Sequence, residues 1–95
     1  MAKMKIAWNS EPVENEIIYA LIDNRGEMLT TDLQRKLSNK YEDFSRADLM
    51  KQLFKLEVRS FIHVVGIKKD VSKVELNKHG QFSDEVRKKM KEFMH

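Results

Sequence analysis

The chain has 95 residues, 41% of them hydrophobic and 35% charged, with a formal net charge of +3. That length makes one domain with a modest core, and the absence of cysteine excludes disulfides, thiolate zinc sites and cysteine nucleophiles. No apolar run approaches the roughly 20 residues of a membrane span, and the apolar part of the stretch from Met1 to Trp8 is too short and broken for a signal peptide, so the expected setting is cytoplasmic, with no membrane insertion.

The charge is unevenly spread. The first 30 residues carry a net −2, the next 30 a net +2 and the last 35 a net +3. A basic C-terminal two-thirds attracts a polyanion by long-range steering.

Ser10 and Pro12 mark the start of a first helix over 11–24, since Ser caps well and Pro is tolerated in the first turn. Val13, Ile17, Ile18 and Leu21 give it a buried stripe, Gly26 supplies the left-handed residue that ends it, and Trp8 reads as a cover for the core edge or a stacking group for a partner. Met28 and Leu29 form a short extended link or a strand of one or two residues. Thr31 and Gln34 have capping-box spacing and open a second helix over 31–41, with Leu33, Leu37 and Tyr41 inward. A polar turn holding Glu42 and Asp43 leads to a third helix over 45–58, capped by Ser45, with Asp48 favouring the positive end of its dipole and Leu49, Leu53 and Leu56 on one face.

Beyond Ser60 the period changes to that of strands. The expected strands cover 61–66 and 71–76, with a hairpin tip over 66–70. A last helix over 78–94, capped by Asn77, carries the stripe Phe82, Val86, Met90 and Phe93. The element order of helix, link, helix, helix, strand, strand, helix predicts an α+β, mostly helical domain in which three helices pack across one another with the hairpin at one side.

Two stretches carry a resemblance. Leu49, Leu53, Leu56, Glu57, Ser60, Phe61 and Ile62 follow the pattern apolar-x-x-x-Leu-x-x-Leu-Glu-x-x-Gly-apolar-Ile, with Ser60 in the place of the glycine. Val74, Leu76, Asn77 and Gly80 follow Val-x-Leu-Thr-x-x-Gly, with Asn77 in the place of the threonine. These are the stretches that enter and leave the wing in MarR-type and related winged-helix regulators, which the chain resembles. The resemblance implies a winged helix-turn-helix fold with a three-helix core, a two-stranded wing and a C-terminal helix. It implies double-stranded DNA as partner, a role in transcription regulation, and a homodimer formed through terminal helices.

In that mode the third helix enters the major groove. With its leucines inward, Ala47, Met50, Lys51, Phe54 and Lys55 face outward. Lys51 and Lys55 are candidates for guanine edges or phosphates, Arg46 for a phosphate, and Lys68, Lys69 and Lys73 of the wing for the flanking backbone. Each of these cations also fits an ordinary solvated surface. Phe54 either folds back to Tyr41 or Phe44, or forms with Met50 an apolar patch for a protein partner. Phe82, Val86, Met90 and Phe93 are either core or a dimer interface. The acidic turn at Glu42 and Asp43 disfavours phosphate docking and supports the alternative of a protein-interaction module within a larger transcription, replication or membrane-remodelling assembly. His63, His79 and His95 are scattered, with His63 expected to be partly buried, and three glycines are too few for a phosphate cradle. The expectation is therefore a non-enzyme without metal or cofactor.

Overall fold

A computed structural model describes residues 10–93, and the side chains from Pro12 onward. Trp8, Met94 and His95 lie outside those residues. The elements run α1 (Ser10–Asp23), β1 (Glu27–Leu29), α2 (Thr30–Lys40), α3 (Arg46–Val58), β2 (Ile62–Lys68), β3 (Val71–Leu76) and α4 (Asp84–Phe93). The domain is α+β and mostly helical, with four helices and a three-stranded antiparallel sheet ordered β1-β3-β2.

α1 is the central element. Val13, Ile17, Ile18, Ala20, Leu21 and Ile22 are all buried, and the helix packs against α2, α3, α4, β1 and β3. Its C-terminus closes with two bonds: Arg25 N–H donates to the Ile22 carbonyl and Gly26 N–H to the Leu21 carbonyl. This geometry places Arg25, not Gly26, at the first left-handed position, with φ of 61°, while Gly26 follows at 101°.

β1 is longer than the expected link because it finds a partner. Glu27, Met28 and Leu29 pair with Glu75, Val74 and Lys73 of β3, so the two-stranded wing of the sequence reading becomes part of a three-stranded sheet. Period-2 alternation then divides the faces. Ile62, Val74 and Leu76 are buried in the core, with Met28 and Val64 packed against it. Glu27, Leu29, His63, Val65, Lys73 and Glu75 occupy the opposite face.

α2 begins one residue before the expected cap. Its N-cap is Leu29, without a side-chain cap bond. Thr30 is buried, and its Oγ1 accepts the Ser72 N–H at 3.2 Å, which ties the start of α2 to β3. Gln34 makes no capping box with Thr31. Its Nε2 donates to Ser38 Oγ and to the Phe44 carbonyl, both at 2.8 Å, pinning the connection between α2 and α3. Within that connection Phe44 is buried, while Glu42 and Asp43 are exposed.

α3 starts as expected. Ser45 Oγ accepts from Asp48 N–H, and the Asp48 carboxylate accepts from Ser45 N–H. These bonds to Ser45 hold the Asp48 carboxyl below its ordinary pKa. At the other end Ser60 N–H donates to the Glu57 carbonyl and Phe61 N–H to the Leu56 carbonyl. Those are the two bonds of a Schellman closure, and Ser60 sits in its left-handed position with φ of 64°. A side chain there costs roughly 1–2 kcal/mol that glycine avoids. Ser60→Gly is therefore expected to raise stability by about 0.5–1 kcal/mol once the larger chain entropy of glycine is subtracted. Urea or thermal unfolding measures it, and a lower midpoint would show that the Ser60 hydroxyl contributes more than the strain costs.

The C-terminal helix starts later than the sequence reading placed it. Asn77 does not cap it: Asn77 Oδ1 accepts from His79 N–H, and Nδ2 donates to the Ser60 carbonyl at 2.7 Å. The chain then passes close to the end of α3, where a Cβ on Gly80 would lie 2.9 Å from the Phe82 ring and 3.1 Å from the Ser60 oxygen. Only after this crossing does Ser83 accept the Val86 N–H, at the start of α4.

Candidate functional site

The outward side of α3 follows from its caps and leucines. With Leu49, Leu53 and Leu56 buried, the line of Ala47, Lys51, Phe54 and Val58 faces solvent. Their spacings of 4, 3 and 4 keep them within one narrow stripe. Arg46 is exposed and Lys55 half-buried. Met50 is half-buried and packs against the core, so it is not part of an open patch. Phe54 does not fold back to Tyr41 or Phe44: it is 67% exposed, and Val58, one turn on, is 68% exposed. The apolar patch is thus Phe54 with Val58 rather than Phe54 with Met50. Val58 was visible in the sequence as the residue four beyond Phe54.

The two carboxylates of α3 are both turned onto backbone donors. Asp48 is held by Ser45, and Glu57 Oε2 accepts the Val64 N–H of β2 at 3.2 Å. The latter contact joins the last turn of α3 to the base of the hairpin. From Val65 to Asp70 the hairpin is exposed. A register shift between Gly66 and Lys68 lengthens β2 past its expected end, and the turn is reduced to Lys69 and Asp70.

The structure separates the cations into two groups. Lys73 lies 3.3 Å from Glu75 and 3.4 Å from Glu27. Its hydrogen bonds to Glu75 and then Glu27 raise its pKa, and its charge serves the β1–β3 pairing. Arg59 pairs with the nearly buried Glu14 at 3.2 Å, and Lys40 pairs with Glu16. By contrast, no ion pair among the described residues engages Arg46, Lys51, Lys68 or Lys69. Lys73 is thereby set apart from Arg46, Lys51, Lys68 and Lys69. Its sequestration was partly legible, since Lys73 and Glu75 share a strand face, but Glu27 enters only through the pairing of β1.

No known protein family, curated protein or solved structure matches the chain.

The C-terminal stripe is mostly consumed within the chain. Phe82 and Val86 are core residues, and the Phe82 ring stacks on Phe61 with centroids 4.9 Å apart. Met90 is half-buried against the same core, and Phe93 alone of the four is exposed. A dimer interface built on these four residues would have to use groups already packed inside one copy. His63, expected to be partly buried, is exposed on the outer face of the sheet. Among the described residues no helix is long and apolar enough to cross a membrane.

Proposed function

We propose that this chain is a winged helix-turn-helix domain that binds double-stranded DNA and acts in transcription regulation. In this reading α3 enters the major groove and the β2–β3 hairpin lies along the flanking backbone. The observation that carries the reading is a set of exposed cations that form no salt bridge, with Lys51 acting electrostatically on Asp48 of the same helix. Arg46 and Lys51 on α3 and Lys68 and Lys69 at the hairpin tip make no ion pair among the described residues, while both carboxylates of α3 accept backbone hydrogen bonds. A surface of this kind exchanges counterions for phosphates and binds with a steep dependence on salt. The element order and the packing of β2 against α3 support the same reading, because they put the two cationic groups on adjoining elements.

The test is a titration of isotope-labelled protein with duplex DNA at low and moderate salt, following backbone amide shifts. The expected result is shifts confined to α3 and residues 65–70, weakening as salt rises. Binding without shifts on α3 would overturn the proposed docking face. A second reading, a protein-interaction module, is favoured by the exposure of Phe54 and Val58. Absence of duplex binding together with capture of a protein through these two residues would establish it instead.

A further inference from the structure

The tip of the β2–β3 hairpin carries a side chain that phosphate binding does not use. Gly66 pairs with Ser72 and Lys68 with Val71, so Ile67 is the extra residue of a bulge and has no partner across the ladder. It is 54% exposed, although isoleucine is among the residue types most often buried. The hairpin stands clear of the domain here, since a Cβ on Gly66 would meet no atom within 4 Å. Lys68 and Lys69 follow directly and form no ion pair among the described residues. Asp70, the acidic residue of the tip, sits in the turn with φ of 65°, a left-handed position that Asp tolerates better than most side chains. The tip is therefore a projection with one large apolar side chain immediately beside two cations.

We propose that Ile67 is a wedge that enters the DNA minor groove beside the α3 contact and parts a base step there, with Lys68 and Lys69 on the phosphates lining that groove. This inference rests on the DNA-binding reading and specifies what the hairpin adds to it. The charge next to Ile67 identifies its occupant: whatever covers this side chain must present anions to the two residues that follow it. Duplex DNA does so, and the faces of its bases are the apolar surface that a wedge uncovers. A minor groove about 6 Å wide admits the tip of a hairpin but not a helix. It also sets a preference for A·T pairs. The 2-amino group of guanine stands in the minor groove of a G·C pair, A·T tracts attract lysine by their stronger negative potential, and TA steps unstack readily. Apolar wedges of this kind kink the duplex by about 20–90°.

The experiment uses the full chain and duplexes selected from a random pool, with the pairs flanking the α3 footprint then made A·T, G·C or inosine·cytosine. Inosine lacks the 2-amino group of guanine, so its pair keeps the major-groove edge of G·C without the minor-groove donor. Fluorescence anisotropy reads affinity, and energy transfer between dyes at the duplex ends reads bending. The wild type is expected to bind A·T and inosine·cytosine flanks alike, to bind G·C flanks about tenfold more weakly, and to bend the first two by at least about 20°. Ile67→Ala loses both the discrimination and the bend but keeps the wild-type salt dependence, and Ile67→Leu, with an apolar side chain of the same size, retains them. A circular dichroism melt checks that both variants fold. Equal affinity for the three flanks without a bend overturns the inference and leaves DNA binding intact. Inosine·cytosine behaving as G·C also overturns it, since the reading would then be in the major groove, as does a bend that persists in Ile67→Ala. Failure to bind any duplex overturns both readings, and binding to anionic phospholipid vesicles that Ile67→Ala abolishes would then assign the tip to a membrane surface.

Discussion

A variant carrying Lys51→Ala, Lys68→Ala and Lys69→Ala is expected to bind duplex DNA roughly a hundredfold more weakly than the wild type, at about 1 kcal/mol for each of the three contacts removed. Its salt dependence should change in parallel. Each neutralised phosphate contributes about −0.9 to the slope of log affinity against log salt, so removing three contacts makes the slope shallower by roughly 2.7. Lys73→Ala provides the internal comparison. Lys73 lies on the same hairpin, three residues beyond the turn, yet Glu75 and Glu27 already compensate its charge. Its replacement should leave the slope near the wild-type value while loosening the pairing of β1 with β3. Anisotropy titrations between about 50 and 200 mM salt read both effects. A triple variant with an unchanged slope would show that the exposed lysines do not meet phosphates, and the docking surface would have to be sought elsewhere.

Phe82→Ala is expected to have the largest effect on stability. Truncating a buried phenylalanine costs about 3–5 kcal/mol, which is a large part of the roughly 5–15 kcal/mol available to a small domain. Here the ring fills the space between Phe61 and Gly80, where the loop before α4 crosses the end of α3. The substitution removes the stacking partner of Phe61 as well as the packing of the loop. Phe93→Ala, on the exposed end of the same helix, should change stability by less than about 0.5 kcal/mol. Urea unfolding separates the two. If Phe82→Ala instead dissociated a dimer at unchanged monomer stability, as judged by sedimentation, the assignment of Phe82 to the core of a single copy would fail.

Much of this architecture is legible in the residues themselves, and the exceptions have physical reasons. α1 and α3 are readable because a strong local signal coincides with a buried stripe: Val13, Ile17 and Leu21 in one case, and Ser45 with Asp48 followed by three leucines in the other. The start of α4 is misread because Asn77, a good cap residue, is used differently. Its amide donates to the Ser60 carbonyl seventeen residues away, a bond that no local pattern announces. Thr31 and Gln34 mislead in the same way, since Gln34 is drawn to the Phe44 carbonyl across the turn. The departure at Ser60 is of another kind. The motif asks for glycine, and the backbone does adopt the glycine conformation with a serine in it.

For the candidate site, the sequence locates the cations but not their availability. Which lysines are free depends on which carboxylates the fold brings to them, and that is set by pairings such as Glu27 with Glu75. Phe54 is readable as an outward residue from the period of α3. It stays exposed in the fold, while Phe44 is buried separately.

The position of β2 has a consequence for how the molecule behaves at high concentration. As one of the two outer strands of the sheet, it would ordinarily offer a continuous row of backbone donors and acceptors on which a neighbouring chain could add a strand. Two features interrupt that row. Glu57 occupies the outward N–H of Val64, and the irregularity between Gly66 and Lys68 breaks the spacing just beyond it. Lys68 and Lys69 then place like charges at the end of the strand, so that two hairpins approaching edge to edge repel each other. The same contact that seats the hairpin on α3 thereby withdraws one backbone donor from the exposed edge of the sheet.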